Sequence, residues 1–183
     1  MEKVEHDKVL QDENGKMQFD FSKALSVFEP HTLASMYSEY LSDVDFVVED
    51  ERKLICLEYK NANIKNADNP QAFQKKIEEE PFWKRVARKF YGTMFLVWAC
   101  NKNQADKPVQ YVLLMETNLG MDEALKKRLI AKLLTHLPFS YRMRREICRH
   151  VIDEFLFVDL EGWKAKYPQY PISYIETGQE TCF

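Results

Sequence analysis

The stretch SDVDFVVEDERKLICLEYKNAN, Ser42 to Asn63, constrains the fold more than any other part of the chain. Two apolar runs rich in Val, Ile, Leu and Phe flank the charged cluster Glu49, Asp50, Glu51, Arg52 and Lys53. That pattern reads as strand, turn, strand. Side chains alternate faces along a strand, so Asp43, Asp45 and Val47 share one face of the first, and Leu54, Cys56, Glu58 and Lys60 one face of the second. The other faces, Val44, Phe46 and Val48 against Ile55, Leu57 and Tyr59, are apolar. A loop of even length, for instance Glu51-Arg52, pairs Val47 with Cys56 and Asp45 with Glu58. Directly opposed side chains have Cβ atoms about 5 Å apart, where like charges repel and a compensating cation is needed. Lys60 is one such cation. A divalent ion is another, because two hard carboxylate oxygens with positions left for water and phosphate suit Mg²⁺ or Mn²⁺.

Asp45, a hairpin, and then Glu58-Tyr59-Lys60 resembles the PD-(D/E)XK signature of the restriction-endonuclease-like nuclease superfamily, with Val44 where that signature often has Pro. Counting flanking helices, the likeness runs from about Thr32 to Asn101. It implies that Asp45 and Glu58 hold Mg²⁺ or Mn²⁺, and that Lys60 positions or activates the attacking water. It also makes Glu39, on the helix before the hairpin, a candidate outer ligand, with a solvated helix face as the alternative. The implied activity is metal-dependent hydrolysis of phosphodiester bonds in DNA or RNA. The other reading is a non-catalytic module of the same fold that binds nucleic acid or a protein partner, as a homodimer or with a partner subunit. Taken alone, a Glu-x-Lys pair also fits an exposed ion pair on an edge strand, which contributes about 0–1 kcal/mol.

The rest of the chain sets the frame. Hydrophobic residues make up 45% of the 183, too many for a disordered chain, and the length suits one domain with a substantial core. Within it, residues 1–16 read as a loose arm or short hairpin turning at Asn14-Gly15, 17–160 as the nuclease-like core, and 161–183 as a capping segment and tail. No apolar run approaches the roughly 20 residues that span a bilayer, and Met1 to Gln18 is too polar for a signal peptide, so a cytoplasmic protein without a membrane partner is expected. Cys56, Cys100, Cys148 and Cys182 lack metal-ligand spacing and read as reduced core thiols. A net charge of -3 gives no general attraction to nucleic acid, so contact with it requires a local basic face.

In chain order, Phe19, Phe21, Leu25, Val27 and Phe28 form an apolar segment ended by Glu29-Pro30. From His31 to Leu41, the spacing of Leu33, Met36, Tyr37, Tyr40 and Leu41 predicts a helix facing a core. After the hairpin comes a polar connection from Asn61 to Pro70, with Pro70 placed to open a helix that includes Phe73 and Ile77. Gln71 and Gln74 there could reach a substrate. Pro81 restarts the helix, and Trp83, Val86, Ala87 and Phe90 make its apolar stripe up to Gly92. Lys84, Arg85, Arg88 and Lys89 line its other faces; the first three are candidate nucleic-acid contacts, with a solvated face as the alternative. TMFLVWA, Thr93 to Ala99, is apolar on both alternations and predicts a central strand covered on both faces. Val109 to Thr117 predicts another strand. Leu125, Leu129, Leu133 and Leu137 predict a helix capped by Asp122 and closed by Pro138. Arg142, Arg144 and Arg145, followed by Arg149, form a second candidate phosphate-binding stretch, because the planar guanidinium can bind phosphate bidentately. Phe155 to Leu160 predicts a last strand.

The expected fold is therefore α/β, a mixed central sheet flanked by helices with a restriction-endonuclease-like core. Other chemistries find no support in the pattern. The five glycines form neither a phosphate-cradling loop nor a dinucleotide fingerprint. His6, His31, His136 and His150 have no zinc-like spacing, and no serine sits in a nucleophile elbow.

Overall fold

The structure, a computed structural model, describes residues 8–61, 75–116 and 123–175. It is a mixed α/β fold built on two sheets. The hairpin lies in the larger one, as strands β4 (Phe46–Glu49) and β5 (Leu54–Asn61), preceded by β3 (Ser26–Phe28). Chain order continues through helix α2 (Glu80–Ala99), β6 (Val109–Glu116), α3 (Glu123–Leu134) and β7 (Glu154–Val158). The spatial order is β3-β4-β5-β6-β7, antiparallel from β3 to β5 and parallel from β5 to β7. The helical crossovers make the parallel half, because a chain can re-enter a sheet in the same direction only after a long connection. A smaller antiparallel sheet joins β1 (Val9–Gln11), β2 (Met17–Asp20) and β8 (Ile172–Tyr174).

Each face of the large sheet has its own core. Val47, Leu54, Cys56, Tyr111 and Leu113 pack against Trp83, Val86 and Phe90 of α2 and Leu129 and Leu133 of α3. On the other face, Phe46, Val48, Ile55, Leu57 and Tyr59 pack against Phe19 and Phe21 and against Trp163 of α4 (Leu160–Lys166). From Phe46 onward the period-2 pattern of the hairpin thus sorts its residues between two buried layers; Val44, expected on the face of Phe46 and Val48, instead joins the α2 core, because the chain bends at Asp45. Strand β6, buried at every position, fills the centre.

Three further sequence expectations are corrected. Thr93 to Ala99 is not a strand but the C-terminal part of α2, which runs 20 residues without stopping at Gly92. A short apolar run satisfies helix and strand patterns alike. Here the stripe Trp83, Val86, Phe90, Met94 and Val97 continues at helical spacing, and Phe95 and Trp98 point to solvent at 56% and 41% exposure. Each fully buried large side chain contributes about 1.5–3 kcal/mol, more than the roughly 1 kcal/mol cost of a mid-helix glycine. Gly92 is required by contact: a Cβ there would overlap the carbonyl oxygen of Ser42.

The segment from His31 to Leu41 is the second correction. It forms only α1 (His31–Ala34) and a 3-10 turn over Ser35–Tyr37, and Met36, Tyr37 and Tyr40 are exposed rather than in a core. Its helical spacing finds no second layer to bury against; only Ala34 is covered. Third, the last strand stops at Val158, because Asp159 accepts a hydrogen bond from the Gly162 amide at 2.7 Å and caps α4. Leu160 accordingly opens a helix. Pro70, Gln71, Phe73, Gln74, Asp122, Cys182 and the tail from Glu176 lie outside the described residues. Of the other thiols, Cys56 is a core residue whose burial pushes its pKa up to about 12, whereas Cys148 is exposed.

Candidate functional site

Val47 lies opposite Cys56 and Phe46 opposite Leu57, the register that an even loop demands. The ladder ends at Phe46, and Asp45, in a bend just before it, meets β5 through its side chain. Asp45 accepts a hydrogen bond from the Tyr59 amide at 2.6 Å, which holds its carboxylate at the edge of β5. Helix α2 fixes the approach to that position. The Thr93 hydroxyl accepts the Val44 amide at 2.9 Å, one residue before Asp45, and Gly92 lets the helix lie against the backbone of Ser42. Asp45, Glu58 and Lys60 therefore gather near the C-terminal end of β5, the end where ligands commonly bind in open α/β sheets.

Glu58 is fully buried, and two ammonium groups meet it. Its Oε1 lies 2.6 Å from Lys60 Nζ and 2.9 Å from Lys89 Nζ, yet neither is aligned with that oxygen as a hydrogen-bond donor. Oε2 receives the directed bond, from Lys89 at 3.1 Å. Burial alone would lower the Lys89 pKa; the carboxylates of Glu58 and then Asp45 outweigh it and hold the pKa above the usual lysine value. Asp45 is the group that this arrangement leaves under strain. Desolvation, and after it the negative charge of Glu58, push its pKa up to about 7, against smaller opposing effects from Lys89, the Tyr59 amide and Lys60.

Lys60 is one-third exposed and borders two neighbouring clefts. One, of about 290 Å³, opens onto Glu58, Lys89, Arg85 and Lys76. The other, of about 180 Å³, opens onto Asp45 and onto Asp12, Glu13 and Asn14 at the turn between β1 and β2. The arm before residue 17 thus contributes a strand and a wall of the site. Gly15 makes its turn possible with φ at 63°, and Asp12 clamps it by accepting the amides of Lys16 and Met17, each at 2.7 Å.

The oxygens here of the kind that suit a divalent ion belong to Asp45 and Glu58, and both lysine ammoniums already lie against Glu58 Oε1. Among the described residues, no three His, Cys, Asp or Glu side chains converge on one point. Glu39 is exposed in the turn after α1 and lines neither cleft.

The basic residues divide into three groups. Arg85 faces the Glu58 cleft. Lys84 and Arg88 line the next face of α2 with Tyr91 and His136, and Lys84 is paired with Glu80 at 2.8 Å. Arg142 lies at the opposite end of the sheet: it contacts Asp153, whose carboxylate caps the first amide of β6 at Val109, while Glu58 pairs with Leu113. Four residues along a strand is about 13 Å, so the stretch Tyr141 to His150, with exposed Arg144 and Arg145, does not join Asp45 and Glu58 in one cleft. Tyr141, Arg142, Cys148, Arg149 and His150 of this stretch line a separate cavity of about 350 Å³ with Asp106 and Asp153.

The partner of Glu58 that the charge run concealed is Lys89. Its signal was spacing, since Phe82, Val86 and Lys89 recur at helical intervals and place Lys89 at the inner edge of the apolar stripe. No family, no curated protein and no solved structure matches the chain. No helix among the described residues is long and apolar enough to cross a membrane.

Proposed function

We propose that this protein is a metal-dependent nuclease-like hydrolase of phosphodiester bonds in DNA or RNA, on a restriction-endonuclease-like core. The observation that carries the reading is the gathering of Asp45, buried Glu58 and half-open Lys60 around the C-terminal end of β5. The antiparallel hairpin feeding a helical crossover into parallel β6 supports the fold half of the proposal.

Asp45 and Glu58 would hold Mg²⁺ or Mn²⁺, which when bound polarises a phosphoryl oxygen and acidifies a coordinated water. The chain's own residues do the rest. The Tyr59 amide fixes Asp45, and Lys89 steadies Glu58. Lys60, reaching solvent at the border of both clefts, orients the attacking water and stabilises negative charge that develops at phosphorus. Arg85, on the wall of the larger cleft and without an ion-pair partner among the described residues, is placed to take a neighbouring phosphate. Because Asp45 is half protonated near neutrality, cation uptake below about pH 7 would release its proton.

A second reading rests on charge. With Asp45 ionised, Asp45, Glu58, Lys60 and Lys89 sum to zero, as a module that binds nucleic acid or a protein without cutting would tolerate. The test is purified protein with Mg²⁺ or Mn²⁺ and plasmid, single-stranded DNA or RNA, alongside Lys60→Ala. The nuclease reading expects cleavage that chelation stops and Lys60→Ala abolishes. Binding without cleavage at saturating metal, or equal cleavage by Lys60→Ala, would replace it with the non-catalytic reading.

A further inference from the structure

We propose that Lys89 is the resident counter-ion of the Asp45 and Glu58 pair, and that a divalent ion binds there by displacing its ammonium. This rests on the metal-site reading above. Lys89 Nζ contacts both oxygens of Glu58, at 2.9 and 3.1 Å, while Lys60 contacts Oε1 at 2.6 Å. One buried carboxylate thus holds two cations, one more than it needs. A divalent ion sharing Oε1 with both would put four positive charges around two negative ones, which a partly buried site does not tolerate. Both lysines border the cleft of about 290 Å³, but the reading above keeps Lys60 at the attacking water, so Lys89 is the one whose ammonium leaves. Its stem rises from α2 into the cleft of about 290 Å³, and its flexible four-carbon chain can carry the ammonium there beside Arg85 and Lys76. That is the wall along which a phosphate would lie. The freed ammonium would then serve the substrate, so metal and phosphate uptake reinforce each other, and by linkage the coupling is reciprocal.

The experiment is calorimetric Mn²⁺ titration of the full chain at about pH 8, where Asp45 is ionised, for wild type, Lys89→Met and Glu58→Gln. Displacement predicts that Lys89→Met binds Mn²⁺ about tenfold tighter or more, since a unit charge a few ångströms away no longer competes, and that Glu58→Gln loses binding. Wild-type binding that Glu58→Gln abolishes, together with equal or weaker binding by Lys89→Met, overturns the displacement and leaves the metal site standing. Absence of Mn²⁺ binding from both folded wild type and Lys89→Met at millimolar metal overturns both. Should Lys89→Met fail to fold, amine labelling of wild type decides. The rate at Lys89 relative to Lys84 should rise severalfold on adding Mn²⁺, and an unchanged ratio overturns the proposal.

Discussion

Replacing Asp45 by Asn mimics the protonated acid and keeps the oxygen that accepts the Tyr59 amide, so it isolates the cost of the Asp45 charge. In the fold, burial and Glu58 raise this pKa from 3.8 to about 7. Between those values the native state holds a proton that the unfolded chain has released, so stability falls as pH rises through the window and the loss is complete above about pH 7. The window spans about 3 pH units at about 1.4 kcal/mol each, a ceiling of about 4 kcal/mol. Asp45 keeps some contact with solvent, which screens its neighbours, and about 2 kcal/mol is the expected effect. For a chain of this size that corresponds to about 4–8 °C in Tm. Thermal melts in chelator should therefore show Asp45→Asn more stable than wild type at about pH 8 and nearly equal to it only at about pH 3.5, below the unfolded value of 3.8. Added Mg²⁺ should stabilise wild type alone. A Tm difference that is the same at both pH values, or a less stable variant at the higher one, would refute the assignment of strain to Asp45.

Glu58→Gln should do the opposite. Relief of carboxylate repulsion would favour it, but Lys60 and Lys89 would lose their shared counter-ion, so a loss of about 2–3 kcal/mol is expected by denaturant titration. Gly92→Ala forces a Cβ into the Ser42 carbonyl and should cost about 1–3 kcal/mol; because Val44 and Asp45 hang from Thr93, cleavage should fall further than stability explains, as comparison with an equally destabilised core variant would show. Arg85→Ala should weaken nucleic-acid binding and lower its salt slope by about 1, whereas Arg144→Ala, at the far end of the sheet, should leave both unchanged in filter-binding titrations.

The hairpin was legible in the sequence because its information is local. Period 2 sorts Leu54, Cys56 and Glu58 from Ile55, Leu57 and Tyr59 whatever surrounds them, and the length of the charged turn fixes the pairing of Val47 with Cys56. From those two facts Glu58 and Lys60 fall on one face, while Asp45 meets β5 from the bend just before β4. Tertiary structure decided the rest. Whether TMFLVWA became strand or helix turned on a surface to bury against, which α2 found along Met94 and Val97. The stripe from Leu33 to Tyr40 found none and stayed exposed. The wall formed by Asp12 and Glu13 depends on a hairpin folding back from the start of the chain, and Lys89 meets Glu58 across 31 residues. A local pattern fixes which way a side chain points, but a charge acquires its pKa only from the groups the fold brings around it. That is how the fold treats Asp45: desolvation and the charge of Glu58, itself paired with two lysines, raise its pKa, which no local pattern could show.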